Sequence, residues 1–142
     1  MGSIEFFAEG IEFSVVQEAS VKGWLRAVVN GHGFGIEEIA YVFLSDEDLL
    51  ALNLAHLQHD TLTDIITFVL HPKGGKDLLM DIFISVDRVR ENANEFGVGF
   101  NDELHRVMVH GLLHAIGYDD KAEDAKLEMR KAEDLALSLR EF

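Results

Sequence analysis

Apolar and polar positions along the chain change period several times, and each change marks an element. Ile4 to Phe7 and Ile11 to Val16 are apolar runs on either side of Glu9-Gly10, a pattern that predicts a strand or a hairpin. Over residues 17 to 30 the period lengthens. Val21, Trp24, Leu25 and Val28 recur at helical spacing, and Gly31 to Gly35 closes that helix in a turn, with His32 expected in solvent. Ile36 to Leu44 has strand composition, and Ser45 followed three residues on by Asp48 makes a capping start for a helix to about Asn53. Ile65 to Leu70 and Leu78 to Ser85 read as two further strands, joined by His71-Pro72-Lys73-Gly74-Gly75-Lys76-Asp77 as a hairpin tip. Ser85 and Asp87 open a helix ending at Gly97. Asn101 with Asp102 and Glu103 opens the next, the acidic pair suiting its positive end. Residues 122 to 140 place Ala125, Met129, Ala132, Ala136 and Leu139 on one stripe, the packing face of a last helix.

Strands and helices interleave without an internal repeat. The expected fold class is therefore α+β: a mixed sheet of about four strands with helices packed around it and the chemistry on a central helix, in a single domain over residues 1–142. With 48% hydrophobic residues, a chain of this length can bury a substantial core. Cysteine is absent, which excludes disulfides and thiolate metal sites and leaves nitrogen and oxygen as the metal donors. Residues 1–5 show no basic-then-apolar leader pattern, and no apolar run approaches membrane-spanning length, so a soluble, cytoplasmic protein without membrane partners is expected. The formal charge of −14 weighs against a nucleic-acid substrate, since phosphate binding draws on Lys and Arg. Much of that acidity lies in helix starts and in the last helix, where it can face away from a substrate and suit a basic protein partner.

The chemistry concentrates in His110-Gly111-Leu112-Leu113-His114-Ala115-Ile116-Gly117-Tyr118-Asp119-Asp120. Imidazoles four residues apart share one helix face, the spacing that grips a metal ion from one side. Gly117 can end the helix in a left-handed turn, so that Asp119 or Asp120 reaches the same ion, and the Gly-x2 spacing favours Asp120. Paired histidines are also found as ordinary helix residues. Here the neighbours Leu104, Val107, Met108, Val109, Leu112, Leu113 and Ile116 are apolar, which predicts partial burial of His110 and His114, where an unpartnered imidazole is costly. The spacing matches that of HExxH metalloproteases with a metzincin-like extension, but Gly111 stands where their catalytic Glu stands. A metal cradle without the protease's base points to hydrolysis of something other than a peptide, and makes a peptidase the least favoured reading.

His-Gly-x-Leu-His-x2-Gly-Tyr-Asp resembles the signature of the YbeY family of bacterial metal-dependent endoribonucleases. A second hallmark runs from Leu52-Asn53 through Asp60-Thr61-Leu62-Thr63-Asp64-Ile65-Ile66-Thr67-Phe68 to Asp81-Ile82, so the resemblance covers about residues 36 to 120. It implies an α+β fold and zinc or another divalent transition metal held by His110, His114 and Asp120 as the metal and catalytic residues. It further implies single-stranded or precursor ribosomal RNA as substrate, in rRNA processing, small-subunit maturation and ribosome quality control, with a small-subunit protein or assembly GTPase as further partner and no role for DNA. Three positions depart from the family: Asp120 replaces a third His, Leu57 an Arg thought to serve the active site, and Met80 a Gly. Leu57 and the acidic charge support an alternative, a metal-stabilised ribosome assembly factor with little or no catalysis. An open three-ligand site argues for the enzyme, because structural zinc sites are closed.

The remaining candidates have two readings each. His56 and His59 precede the second hallmark and can supply the donor missing at Leu57, or be surface histidines. Thr63 and Asp64 can orient water or a ligand, or cap a strand. The loop from His71 to Asp77 can be a basic finger over the site, or a solvated turn. His105 is expected to be structural or exposed.

Overall fold

The computed structural model describes residues 2–57 and 63–142, apart from the Leu57 side chain. His59 and the Asp60-Thr61-Leu62 part of the second hallmark therefore lie outside the described residues. The elements follow in the order β1 (Ser3–Ala8), α1 (Glu18–Gly31), β2 (Gly35–Leu44), α2 (Asp46–Leu57), β3 (Ile65–Val69), β4 (Asp77–Ser85), α3 (Val86–Phe96), α4 (Phe100–Ile116) and α5 (Glu123–Ser138). The four strands form one mixed sheet in the order β1-β2-β4-β3. β1 and β4 run parallel to β2 on either side of it, and β3 pairs antiparallel with β4 at the edge. The expected α+β class and mixed four-stranded sheet with surrounding helices are met, as is the hairpin of β3 and β4.

Alternation along the strands divides the core between the two faces of the sheet. Ile39, Tyr41 and Phe43 of β2 join Leu78, Met80, Ile82 and Ile84 of β4 in the larger cluster, against α1 and α4. Val42, Leu44 and Ile66 turn the other way, toward Leu49 of α2 and the partly buried Phe68 and Phe83. Met80 is 1% exposed and is simply core. Two hydrogen bonds tie elements across the larger core: Tyr41 Oη donates to the Met108 carbonyl at 2.8 Å, and Trp24 Nε1 donates to the Ala136 carbonyl at 2.7 Å. Burying such groups unpaired would be costly, so they fix how α4 and α5 sit. No described helix is long and apolar enough to cross a membrane.

Four local expectations change. Ile11 to Val16 is not a strand, because β1 pairs with β2 and the segment serves as the connection into α1. Its apolar residues find their burial as a loop: Val15 is buried, and Phe13 packs on Phe43 and Phe100 with ring centroids 5.0 and 6.1 Å apart. The helix α4 starts at Phe100 with Gly99 as N-cap and no side-chain cap, so Asn101 lies within its first turn. In α5 the stripe is half met: Met129, Ala132 and Ala136 are buried, whereas Leu139 is exposed. His32 is half-buried and not in open solvent. Its Nδ1 sits 3.0 Å from the Val28 carbonyl, and its ring lies edge-on to Tyr118.

Candidate active site

α4 owes its place to its apolar face. Leu104, Met108, Gly111 and Leu112 press onto the sheet, and Gly111 is the closest approach. A Cβ there would stand 3.0 Å from Ile65 Cδ1 and 3.2 Å from Thr67 Cγ2, tight contacts that those side chains would have to yield to by a few tenths of an ångström. Where the metalloprotease pattern has its Glu, this helix packs closely on β3 and β4, and a side chain at 111 would crowd Ile65 and Thr67. His110 and His114 lie on the flank of the helix and line a cavity with Ile65 and Thr67 of the edge strand. His110 is half-buried, as expected, whereas His114 is exposed.

Gly117 ends α4 with φ 132°, a value that side-chain-bearing residues rarely adopt. Its N–H donates to the His114 and Leu113 carbonyls, and the Tyr118 N–H donates to the Leu113 carbonyl at 3.0 Å, closing the helix in a Schellman turn. The chain then reverses. The Asp119 carboxylate accepts the backbone N–H of Asp120 at 2.7 Å and of Lys121 at 3.2 Å, so Asp119 is engaged in the turn itself. Asp120 is directed back at the helix, with Oδ2 3.4 Å from His110 Nε2. His110, His114 and Asp120 line one cavity of about 300 Å³, together with Thr63, Asp64 and Lys121.

The imidazoles are anchored on their far sides. His110 Nδ1 lies 2.7 Å from Glu133 Oε2, and His114 Nδ1 lies 3.1 Å from the Tyr118 carbonyl. Glu133, from α5, is buried and also accepts from Arg106 Nη1 at 2.9 Å, while Arg106 Nη2 reaches Asp134 at 2.6 Å. Burial alone would raise the Glu133 carboxyl, but hydrogen bonds from His110 and Arg106 hold it below its ordinary range. The same hydrogen bond to Glu133 outweighs burial at His110 and raises its pKa. Asp64 differs from Glu133: burial raises its carboxyl, an effect that the nearby His110 only partly offsets.

Glu133 was not singled out in the sequence, although a signal was there. It lies four residues after Met129 and three before Ala136, an acidic residue on the inward stripe of an amphipathic helix. Asp64 does line the cavity. His56 does not join it: its ring packs edge-on to Phe68 at 5.9 Å, and Phe68 faces away from Ile65 and Thr67 across β3. His105 is buried between Trp24 and Phe142 and accepts at Nδ1 from Arg140 at 2.9 Å, so it is structural.

The donor chemistry suits a divalent metal. With both Nδ1 atoms engaged, each His offers Nε2, the arrangement in which a carboxylate or carbonyl fixes the ring of a ligating histidine. Two imidazoles and a carboxylate, without thiolate, form the donor set of a catalytic zinc centre. Among the described residues, no group of three or more His, Asp or Glu side chains is arranged so that it could hold a metal ion.

Fold and cleft together define a class: small α+β domains in which one helix presents a His-x3-His pair beneath the edge strand of a mixed sheet and returns a carboxylate to it after a glycine turn. Residues 7–140 match the family model described as Endoribonuclease YbeY, and the chain belongs to that family of RNA-cleaving hydrolases. Among its relatives, the Endoribonuclease YbeY of Cytophaga hutchinsonii is 46% identical over 140 residues, 99% of this chain and 97% of that protein. The protein of the same name from Bacteroides thetaiotaomicron is 41% identical over 138 residues, 97% of this chain and 99% of the relative. A solution structure of a Thermotoga maritima protein superposes with a TM-score of 0.67 at 25% identity, covering 96% of this chain and 87% of that one.

Proposed function

We propose that the protein is a zinc-type metal endoribonuclease that cleaves single-stranded RNA of the ribosomal precursor class, with His110, His114 and Asp120 as the protein ligands. The reading is supported above all by one observation: both imidazoles are anchored through Nδ1, and Asp120 approaches His110 Nε2, in a single cleft. A bound divalent ion supplies Lewis acidity and lowers the pKa of water at its open position. The chain's own residues do the rest. Glu133 and the Tyr118 carbonyl hold the two rings in orientation, and the Asp119 turn aims Asp120. Asp64, its carboxyl raised by burial, lines the same cavity. Gly111 keeps the helix against β3, so that the cleft is bounded by Ile65 and Thr67.

The net charge of −14 favours a second reading, in which the ion stabilises a ribosome assembly factor and cleavage is weak or absent. Comparing RNA cleavage by metal-stripped and metal-restored protein separates the two. Ligation is tested independently of activity by metal analysis of the untagged protein. His110→Ala and His114→Ala should each lose tightly bound metal and Asp120→Asn should weaken it, while Asp119→Asn should retain it. One full equivalent of tight metal in either His variant would refute the ligand assignment.

A further inference from the structure

The chain's positive charges are unevenly engaged. Lys22 pairs with Glu18 at 3.1 Å, Arg88 with Asp46 at 2.7 Å, Lys131 with Glu128 at 3.7 Å and Arg140 with Asp102 at 3.0 Å, and Arg106 bridges Glu133 and Asp134. Lys73 and Lys76, in the loop between β3 and β4, reach no carboxylate among the described residues. Both line a cleft of about 590 Å³ that His114 shares with the His110 and Asp120 cavity. Lys121 borders that cavity, also without a carboxylate partner among the described residues. Beyond His110 on the other side, the next cavity shares Asp64 and Asp120 with the central one and adds the carboxylates of Glu103 and Glu133 beside Arg106 and Arg130, whereas the loop-side cleft is lined by no carboxylate among the described residues. Charge therefore favours a polyanion on the loop flank of the histidines over the other.

The loop is built to hold this charge in place. The Gly75 N–H donates to the Pro72 carbonyl at 2.8 Å, and Gly74 takes φ 84°, which makes the turn tight. The Gly35 N–H donates to the Lys76 carbonyl at 2.7 Å, pinning the loop to the start of β2. The Lys76 ammonium sits 4.3 Å from the centroid of the Phe34 ring, a contact that positions a cation without neutralising it. His71 Nδ1 accepts the Leu79 N–H at 3.2 Å, which leaves its Nε2–H as a further donor on the cleft wall.

We propose that the cleft between the β3–β4 loop and the C-terminal end of α4 anchors the RNA strand on one side of the cleavage site, with Lys73 and Lys76 meeting its phosphates. The inference rests on the endoribonuclease reading and deepens it, because it makes the substrate footprint one-sided. A strand held there needs several nucleotides on the loop side of the scissile phosphate and few on the other. Phosphate contacts of this kind position the strand without reading its bases.

The test is steady-state cleavage of a single-stranded RNA of about fifteen nucleotides and of a dinucleotide too short to reach the loop, each across a series of salt concentrations. Three double variants are compared with the wild-type metal-loaded protein: Lys73→Gln with Lys76→Gln, Lys73→Arg with Lys76→Arg, and Lys22→Gln with Lys131→Gln as an equal loss of charge elsewhere. The first should raise KM for the long RNA roughly tenfold with kcat within about twofold, and leave the dinucleotide unaffected. Its plot of log kcat/KM against log salt should be shallower by about 1.4, for two phosphate contacts on a single strand. The Arg pair should behave as wild type, and so should the remote pair. Equal effects from the loop pair and the remote pair, or no effect from the loop pair, overturn the proposal while leaving the endoribonuclease reading intact. A wild-type protein that cleaves neither RNA in the metal-loaded state overturns that reading, and this inference with it.

Discussion

His105 shows how much one buried ring can couple folding to pH. Burial is the main cause that lowers its pKa from 6.5 to about 4, and the neighbouring Arg140 adds to the shift. The folded protein therefore holds His105 neutral where the unfolded chain would protonate it. The stability this represents is intact above the unfolded pKa near 6.5 and is lost as pH falls from there toward about 4, to a total on the order of 3 kcal/mol. Replacing the ring by one that does not titrate should remove that loss. His105→Phe, which gives up the 2.9 Å bond from Arg140, is expected to lower the thermal midpoint at pH 7.5 yet lose less between pH 7 and 4.5 than wild type does. Calorimetry at the two ends of that range decides it; parallel losses in both proteins would mean that another group carries the acid sensitivity. At the same scale, residue spacing alone led to the two histidines and Asp120, because ligand spacing on a helix is a local property. Glu133 escaped because it reaches His110 only after α5 docks, a contact between residues 23 apart in the chain.

Among the elements, α4 and the turn after it were the most legible. The 3.6-residue period of its apolar positions, Gly117 at its end and the acidic first turn are all written within the segment, and all are met. Ile11 to Val16 shows where such reading stops, since apolar alternation says that residues will be buried and not what they will pair with. The strand order β1-β2-β4-β3 was equally hidden, because pairing across the sheet is settled between distant segments. Two glycines at helix ends separate stability from site geometry. Gly117 at φ 132° and Gly33 at φ 80° both occupy backbone conformations that strain an Ala, at a cost of about 1–2 kcal/mol each. Gly33→Ala should lower the melting temperature by a few degrees and leave metal affinity unchanged. Gly117→Ala should lower both, since the turn that aims Asp120 begins there. Equal metal affinities in the two variants would show that Asp120 does not depend on the Schellman turn.

For the molecule as a whole, a net charge of −14 makes self-repulsion part of the energetics, and the site concentrates Asp64, Asp120 and Glu133 around one imidazole pair. A divalent cation at the proposed site would relieve that repulsion, which would link folding to metal loading. At free metal one hundred times its dissociation constant the gain is about 2.7 kcal/mol. Stripping the metal with a chelator should lower the thermal midpoint by several degrees, and added zinc should restore it. A midpoint indifferent to both treatments would separate the ion from the fold.

The docking of α5 also sets a sequence in time. Translation delivers α4, with both imidazoles, before it delivers the helix that carries Glu133. A nascent chain paused between the two presents His110 with nothing on Nδ1 to orient it. The proposed centre would thus be a late product of synthesis, and a chain truncated after Asp120 would keep every proposed ligand yet lack the carboxylate that aims the first of them.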